Sequence, residues 1–135
     1  MKKFFVHYWR SILVIICILF LSFAPPTDFQ GIPSFENEDK LIHMLMYAGL
    51  ASMLIFDFRL AVLNFNLKSF RFIFFCLVFP TLLGGIIEIL QPIYFAPRSA
   101  SWFDFMFDFL GVVIGLIFMN VFRNIVTKIF YSKKS

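Results

Sequence analysis

The chain has 135 residues, of which 61% are hydrophobic and 21% are aromatic, and its mean hydropathy is +0.88. This composition is typical of a membrane protein, and the length leaves no room for a soluble domain beside a few spanning helices. The formal net charge of +4 is small, and its distribution, described below, indicates membrane topology and excludes nucleic-acid binding as a function.

Four apolar tracts have the length that a bilayer requires, since about 20 helical residues cross roughly 30 Å of hydrocarbon. They lie near residues 8–24, 39–58, 70–91 and 102–123. The sequence therefore predicts one all-α domain over residues 1–135, a polytopic membrane protein built as a bundle of four transmembrane helices.

The first tract has the charged front and apolar middle of a secretory signal, MKKFFVHYWR followed by SILVIICILFLSFA. Small residues suited to cleavage stand at Ser22 and Ala24, but Pro25 and Pro26 follow directly. Because proline just after the cut disfavours cleavage, we expect this tract to remain as an anchor helix.

The second tract begins with an unusual number of polar side chains. Asp39, His43 and Tyr47 recur every four residues, which places them on one face of a helix. Lys40 stands beside this face. The acidic residues at its start favour a helix N-terminus, and Asp57 is interpreted as a charge at the inner end of this helix.

The third tract carries Pro80 near its middle, which predicts a kink, and glycines 84 and 85, which allow close approach of another backbone. Glu88 and Gln91 follow one turn apart, and Pro92 is expected to end the helix. A carboxylate facing lipid costs free energy on the order of a few kcal/mol at the bilayer centre. We therefore expect Glu88 to face the inside of the bundle.

The fourth tract opens with Trp102, an interface anchor, and carries Asp104, Asp108, Gly111 and Gly115 at spacings of four, three and four. This pattern predicts one face that is polar at its start and tightly packed further on.

Before the fourth tract, Arg98 lies in a loop with Ser99 and Ser101. Its guanidinium is suited to gripping a phosphate or carboxylate. Asp104 is alternatively a cap of the fourth helix.

The basic residues indicate an orientation, because lysine and arginine are enriched in cytoplasmic loops. Ten of the twelve fall at one end of the predicted spans: Lys2, Lys3, Arg10, Arg59, Lys68, Arg71, Arg123, Lys128, Lys133 and Lys134. Only Lys40 and Arg98 fall at the other end. We expect both termini to be cytoplasmic.

Cys17 and Cys76 lie inside apolar tracts, and the sequence has no CxxC or Cys/His metal spacing. We interpret both as buried packing residues.

A single extracytoplasmic pocket would keep the polar side chains of three helices away from lipid. Its predicted binding residues are Asp39, Lys40, His43, Tyr47, Glu88, Gln91, Arg98, Ser101, Asp104 and Asp108.

Three motifs in order resemble the VanZ-like family of small bacterial integral membrane proteins: D-K-x-x-H-x-x-x-Y at 39–47, E-x-x-Q at 88–91, and R-x-x-S-x-x-D at 98–104. With Gly111, the resemblance covers about residues 36 to 115. It implies a role in the cell envelope, the named member being linked to teicoplanin resistance, and it implies no agreed reaction. At Asp108 the family more often has asparagine.

Three functions remain open from the sequence. The first is binding of an anionic lipid or lipid-linked envelope precursor, and the second is hydrolysis or group transfer on such a lipid, with His43, Glu88 and Asp104 as catalytic candidates. The third is a structural role in which the polar cluster holds the helices together and the protein acts through partners. His43, Glu88, Asp104 and Asp108 also offer ligands for a divalent ion, but the sequence identifies no cofactor.

Overall fold

The computed structural model describes residues 1–24, 31, 37–62, 66–94, 100–123, 125 and 128–129. Every regular element in these residues is helical. Four long helices, each apolar enough to cross a membrane, span Lys2–Phe23 (α1), Glu38–Ala61 (α2), Phe70–Tyr94 (α3) and Trp102–Val121 (α4). The prediction of an all-α, multi-pass membrane protein with four spanning helices is confirmed.

The helices run alternately up and down. Ser11 of α1 contacts Asp57 of α2, Ser22 of α1 contacts Gln91 of α3, and His43 of α2 contacts Asp108 of α4. One end of the bundle, called the site end below, therefore contains the ends of α1 and α3 and the beginnings of α2 and α4.

Three helices are longer than the sequence predicted, and α2 exceeds its predicted bounds of 39–58 by one residue at its start and three at its end. α1 begins at Lys2, six residues before the predicted start, because the aromatic residues ahead of Tyr8 continue the helix. The prediction that Pro92 ends the third helix is wrong, since α3 continues to Tyr94. The missing N–H and the ring of a proline disturb the turn before it, so the helix can continue for a few residues beyond it.

Pro80 is accommodated by a change of helical pitch. Directly before it, residues Phe74–Val78 form a π-helical turn, in which the Phe79 N–H donates to the Phe74 carbonyl five residues back. Pro80 has no N–H to offer the Cys76 carbonyl, and its ring crowds the preceding turn. The wider turn at this position relieves that crowding within a continuous span.

α2 is the central helix and packs most extensively against α4. Gly111 and Gly115 of α4 make this packing close: a Cβ at Gly115 would lie 2.6 Å from the Ala48 carbonyl oxygen, and one at Gly111 would collide with the Met44 carbonyl oxygen. The predicted packing role of this glycine face is confirmed. Small residues at such positions allow two membrane helices to come within van der Waals contact.

A second polar cluster lies toward the end of the bundle opposite the site end. Asp57 is fully buried, and its carboxylate accepts hydrogen bonds from Arg10 Nη1 at 3.0 Å, from the Ser11 N–H at 3.0 Å and from the Ser11 hydroxyl at 2.8 Å. Asp57 lies near the end of α2, as predicted, but it is buried and paired with α1. Its carboxylate is a buried link between α1 and α2.

The two cysteines differ in environment. Cys76 is fully buried, as expected, whereas Cys17 is exposed on the surface of α1. The prediction of a buried Cys17 is wrong, because α1 packs on its neighbours along a narrow stripe that includes Ser11 and Ile18 and not Cys17.

Candidate functional site

Three ionisable side chains from three helices meet near the site end. His43 Nδ1 lies 3.0 Å from Asp108 Oδ1 and 3.8 Å from Glu88 Oε1. One nitrogen or oxygen atom from each of the three side chains falls within 4.8 Å of the others. This group is called the trio below.

The trio is withdrawn from the surface. Asp108 is 1% exposed and Glu88 is 4% exposed. Asp108 Oδ2 and Glu88 Oε1 are buried and form no hydrogen bond within the described part of the chain, and the same holds for the hydroxyl of Tyr47, which lies nearby. Buried polar atoms in native proteins are normally paired, so three unpaired atoms in one place indicate a site that takes a ligand, an ion or water.

Glycine creates the space for the trio. A Cβ at Gly84 would lie 2.8 Å from Asp108 Oδ2, and one at Gly85 would lie 3.2 Å from the ring of Phe105. The two glycines thus accept side chains of α4, where the sequence had predicted close approach of a backbone. A larger residue at Gly84 would displace the Asp108 carboxylate.

The beginning of α4 completes the site. The backbone N–H of Ser101, the residue that caps α4, points to Glu88 Oε2 at a long 3.4 Å. Asp104 lies in the first turn, where a carboxylate is favoured by the helix dipole, and interacts electrostatically with all three members of the trio. The cap position belongs to Ser101, so the alternative of Asp104 as the cap is wrong.

A groove of about 360 Å³ runs between α3 and α4 and reaches Glu88. Its other lining residues are mostly apolar: Gly85, Ile89, Ala100, Ser101, Trp102 and Phe105. Ile89 is 63% exposed and Trp102 is 82% exposed, so the groove opens on the outer surface of the helices. In a bilayer this surface faces lipid, and Glu88 forms the polar inner wall of the groove.

The structure brings together most of the residues predicted from sequence. His43, Tyr47, Glu88, Asp104 and Asp108 cluster, and Ser101 joins them through its backbone rather than its hydroxyl. Their common position follows from the alternating helix directions, which bring the predicted polar faces to one end.

Three predicted residues lie apart from this cluster. Gln91 donates from Nε2 to the Ser22 carbonyl at 3.0 Å and so joins α3 to α1. Asp39 is exposed. Lys40 Nζ donates a hydrogen bond to Asn37 Oδ1 at 2.9 Å, and the same nitrogen lies 5.7 Å from the centre of the Phe103 ring. Arg98 lies outside the described residues.

The sequence reasoning missed the role of Gly84 as the residue that makes room for Asp108. One signal was available. Gly84 stands four residues before Glu88, on the same face of α3, and so faces the same neighbour as the carboxylate.

Comparison with protein-family models, with curated proteins and with solved structures gives no match for this chain. The fold and the site define its class on their own. It is a four-helix, multi-pass membrane protein with a buried histidine–carboxylate site beside a groove open at the helix surface.

Proposed function

We propose that the chain is an integral protein of the bacterial cytoplasmic membrane that binds the head group of a membrane lipid, of the class that carries envelope precursors. The observation that carries this proposal is the groove between α3 and α4. It offers an apolar surface at lipid depth and a buried carboxylate, that of Glu88, at its inner wall. An acyl or prenyl chain fits such a surface, while the head group reaches the trio.

The orientation of the chain belongs to the same proposal. The ten basic residues at the opposite end favour cytoplasmic termini, so the site end lies toward the outer leaflet. Membership in the VanZ-like family is proposed on the three motifs alone. If it holds, altered expression of the protein changes the minimum inhibitory concentration of teicoplanin.

Native mass spectrometry of the full chain, gently extracted from its own membranes, tests the head-group proposal. We expect a phospholipid or polyprenyl phosphate to co-purify with the wild-type chain. Ala100→Phe fills the groove and should abolish this co-purification, and Glu88→Gln changes the inner wall of the groove and should reduce it. Ile86→Phe is the matched control, because Ile86 is exposed on α3 and does not line the groove. Equal lipid retention in all variants would contradict the proposal.

A second candidate function is hydrolysis or group transfer on the same lipid. The observation that favours it is the 3.0 Å contact between His43 and Asp108, because a carboxylate that orients an imidazole is the arrangement used in general acid–base catalysis. Turnover distinguishes the two functions. An enzyme converts lipids of a bacterial extract into a new species in a His43-dependent manner, whereas a binding protein leaves the extract unchanged.

A further inference from the structure

We infer that His43, Glu88 and Asp108 together bind one divalent transition-metal cation, of the class of Zn²⁺ or Mn²⁺. This inference goes beyond the proposed lipid binding and does not depend on it. It concerns what occupies the centre of the site rather than what enters by the groove.

The ligand types match this class of cation. One imidazole and two carboxylates are common ligands of Zn²⁺ and Mn²⁺, whereas Ca²⁺ and Mg²⁺ prefer oxygen ligands alone. The three candidate ligand atoms lie within 4.8 Å of one another and come from three different helices. A modest inward movement of these side chains brings them to a single ion, for which ligand distances are about 2.0–2.2 Å.

The carboxylates of the site also favour binding of a cation. Glu88 and Asp108 are almost fully buried, and in the described part of the chain their only basic partner is His43. Buried carboxylates are costly without a compensating positive charge. Asp104 adds a third carboxylate nearby, so a divalent ion would offset much of the local negative charge.

The second polar cluster of the same protein provides the contrast. The buried carboxylate of Asp57 has a guanidinium partner in Arg10 and two further donors in Ser11. At the trio, by comparison, Asp108 Oδ2, Glu88 Oε1 and the nearby Tyr47 hydroxyl are all left without a hydrogen bond in the described residues. The Asp57 cluster is satisfied by its own protein partners, whereas the trio leaves acceptor oxygens to which a cation could bind.

Access to the trio is available from the membrane surface. Ala100, Ser101 and Trp102 line the groove at the start of α4, which is the end of that span nearest to water. Glu88 also lines the groove, and its Oε1 atom lies 3.8 Å from His43 Nδ1, so an ion can approach the trio from the aqueous side of the site end without crossing the lipid-facing part of the groove. An entry path of this kind is one of the requirements of a metal site.

Isothermal titration calorimetry tests the inference on the full chain, purified in detergent and stripped with EDTA. We expect Zn²⁺ or Mn²⁺ to bind with a stoichiometry of one per chain. Glu88→Gln and Asp108→Asn keep the shape of the side chains and should weaken binding by about tenfold or more, since even outer-shell changes cost that much at metal sites. His7→Ala is the matched control: it removes the other of the two histidines, whose ring bonds the Lys3 carbonyl oxygen away from the trio.

Absence of saturable binding to the wild-type chain overturns the inference, as does equal affinity in wild type, Glu88→Gln and Asp108→Asn. A wild-type melting temperature that rises with added Zn²⁺ or Mn²⁺ supports it without any variant, because a ligand that binds only the folded state stabilises that state. An unchanged melting temperature at saturating metal counts against it. Lipid retention is measured separately, so either proposal can fail while the other stands.

Discussion

Two buried carboxylates on facing helices have opposite environments, and the difference lies in their immediate neighbours. Asp57 accepts three hydrogen bonds from two adjacent residues of α1, one of them from a guanidinium that also lies 4.9 Å from the Trp9 ring and 5.2 Å from the Phe56 ring. Among the residues that the structure describes, Asp108 bonds His43 through one oxygen, and its other oxygen forms no hydrogen bond. The satisfied carboxylate is suited to hold the fold, and the unsatisfied one is suited to receive a ligand.

Removal of the Asp57 carboxylate should therefore destabilise the protein more than removal of an exposed one. Asp57→Ala leaves the Arg10 guanidinium, whose side chain is 30% exposed, and the Ser11 donors without their acceptor. We expect the free energy of unfolding to fall by roughly 3 kcal/mol, at the lower end for a broken buried pair. Reversible unfolding in mixed micelles provides the measurement.

Asp39→Ala is the control for this experiment. Asp39 is a carboxylate on the same helix, but it is exposed, so its removal should change the free energy of unfolding by less than about 0.5 kcal/mol. Similar losses in the two variants would show that the Asp57 cluster does not hold α1 to α2.

At the scale of helices, close packing of α2 on α4 sets the width of the site. Gly111 and Gly115 bring the two backbones together just below His43 and Asp108, and the short contact between these side chains depends on that approach. The site and the glycine face are thus parts of one helix pair. A change in the distance between α2 and α4 should therefore alter both the glycine contacts and the contact between His43 and Asp108.

Gly115→Ala tests the close packing of α2 on α4. The added Cβ would lie 2.6 Å from the Ala48 carbonyl and 2.8 Å from the Ala51 Cβ, so the helices must separate. We expect a loss of roughly 1–3 kcal/mol in the free energy of unfolding, the usual cost of overpacking. The measurement is a melting curve in detergent.

Gly49→Ala is the matched control, because a Cβ at Gly49 of α2 meets nothing within 4 Å. Alanine is favoured over glycine inside a helix by roughly 0.5–1 kcal/mol, so this variant should be at least as stable as the wild type. A Gly115→Ala variant that melts no lower than Gly49→Ala would argue against close packing of α2 and α4.

At the scale of the whole molecule, an even number of spanning helices brings both termini to the same side of the membrane. Four helices meet the length and apolarity that a span requires, and the chain runs up and down through them. The distribution of basic residues favours the cytoplasmic side for both termini.

Reporter fusions test this orientation. A fluorescent protein that folds only in the cytoplasm should be fluorescent at either terminus, and alkaline phosphatase fused after residue 129 should be inactive. The same phosphatase inserted between residues 24 and 37 should be active. Active phosphatase at the C-terminus would reverse the orientation and place the trio toward the inner leaflet.

The four helices and much of the site could be predicted from the sequence, for a physical reason. A bilayer demands long apolar helices, and it penalises every polar side chain that faces lipid. Asp39, His43 and Tyr47 recur at a helical period, so their shared face is a local property. Glu88 and Asp108 were expected inside the bundle on the same grounds, and both are buried.

The remaining contacts depend on how each helix is rotated and shifted against its neighbours. Gln91 was predicted to line the pocket with Glu88, but it bonds the Ser22 carbonyl of α1 because it lies about 60° farther around α3 than Glu88. Asp57 was placed correctly near the end of α2, but its partners Arg10 and Ser11 belong to α1. No single helix specifies such partners.

By itself, then, the sequence determined the class of the protein, the number of its spanning helices and the end of the bundle where polar chemistry collects. Each of these features depends on the composition of a single segment of the chain and on the membrane that surrounds it. Only the tertiary structure decided that His43, Glu88 and Asp108 meet, that Asp57 is satisfied, and that a groove reaches Glu88. These features arise from the relative placement of helices, which depends on the packing of all four.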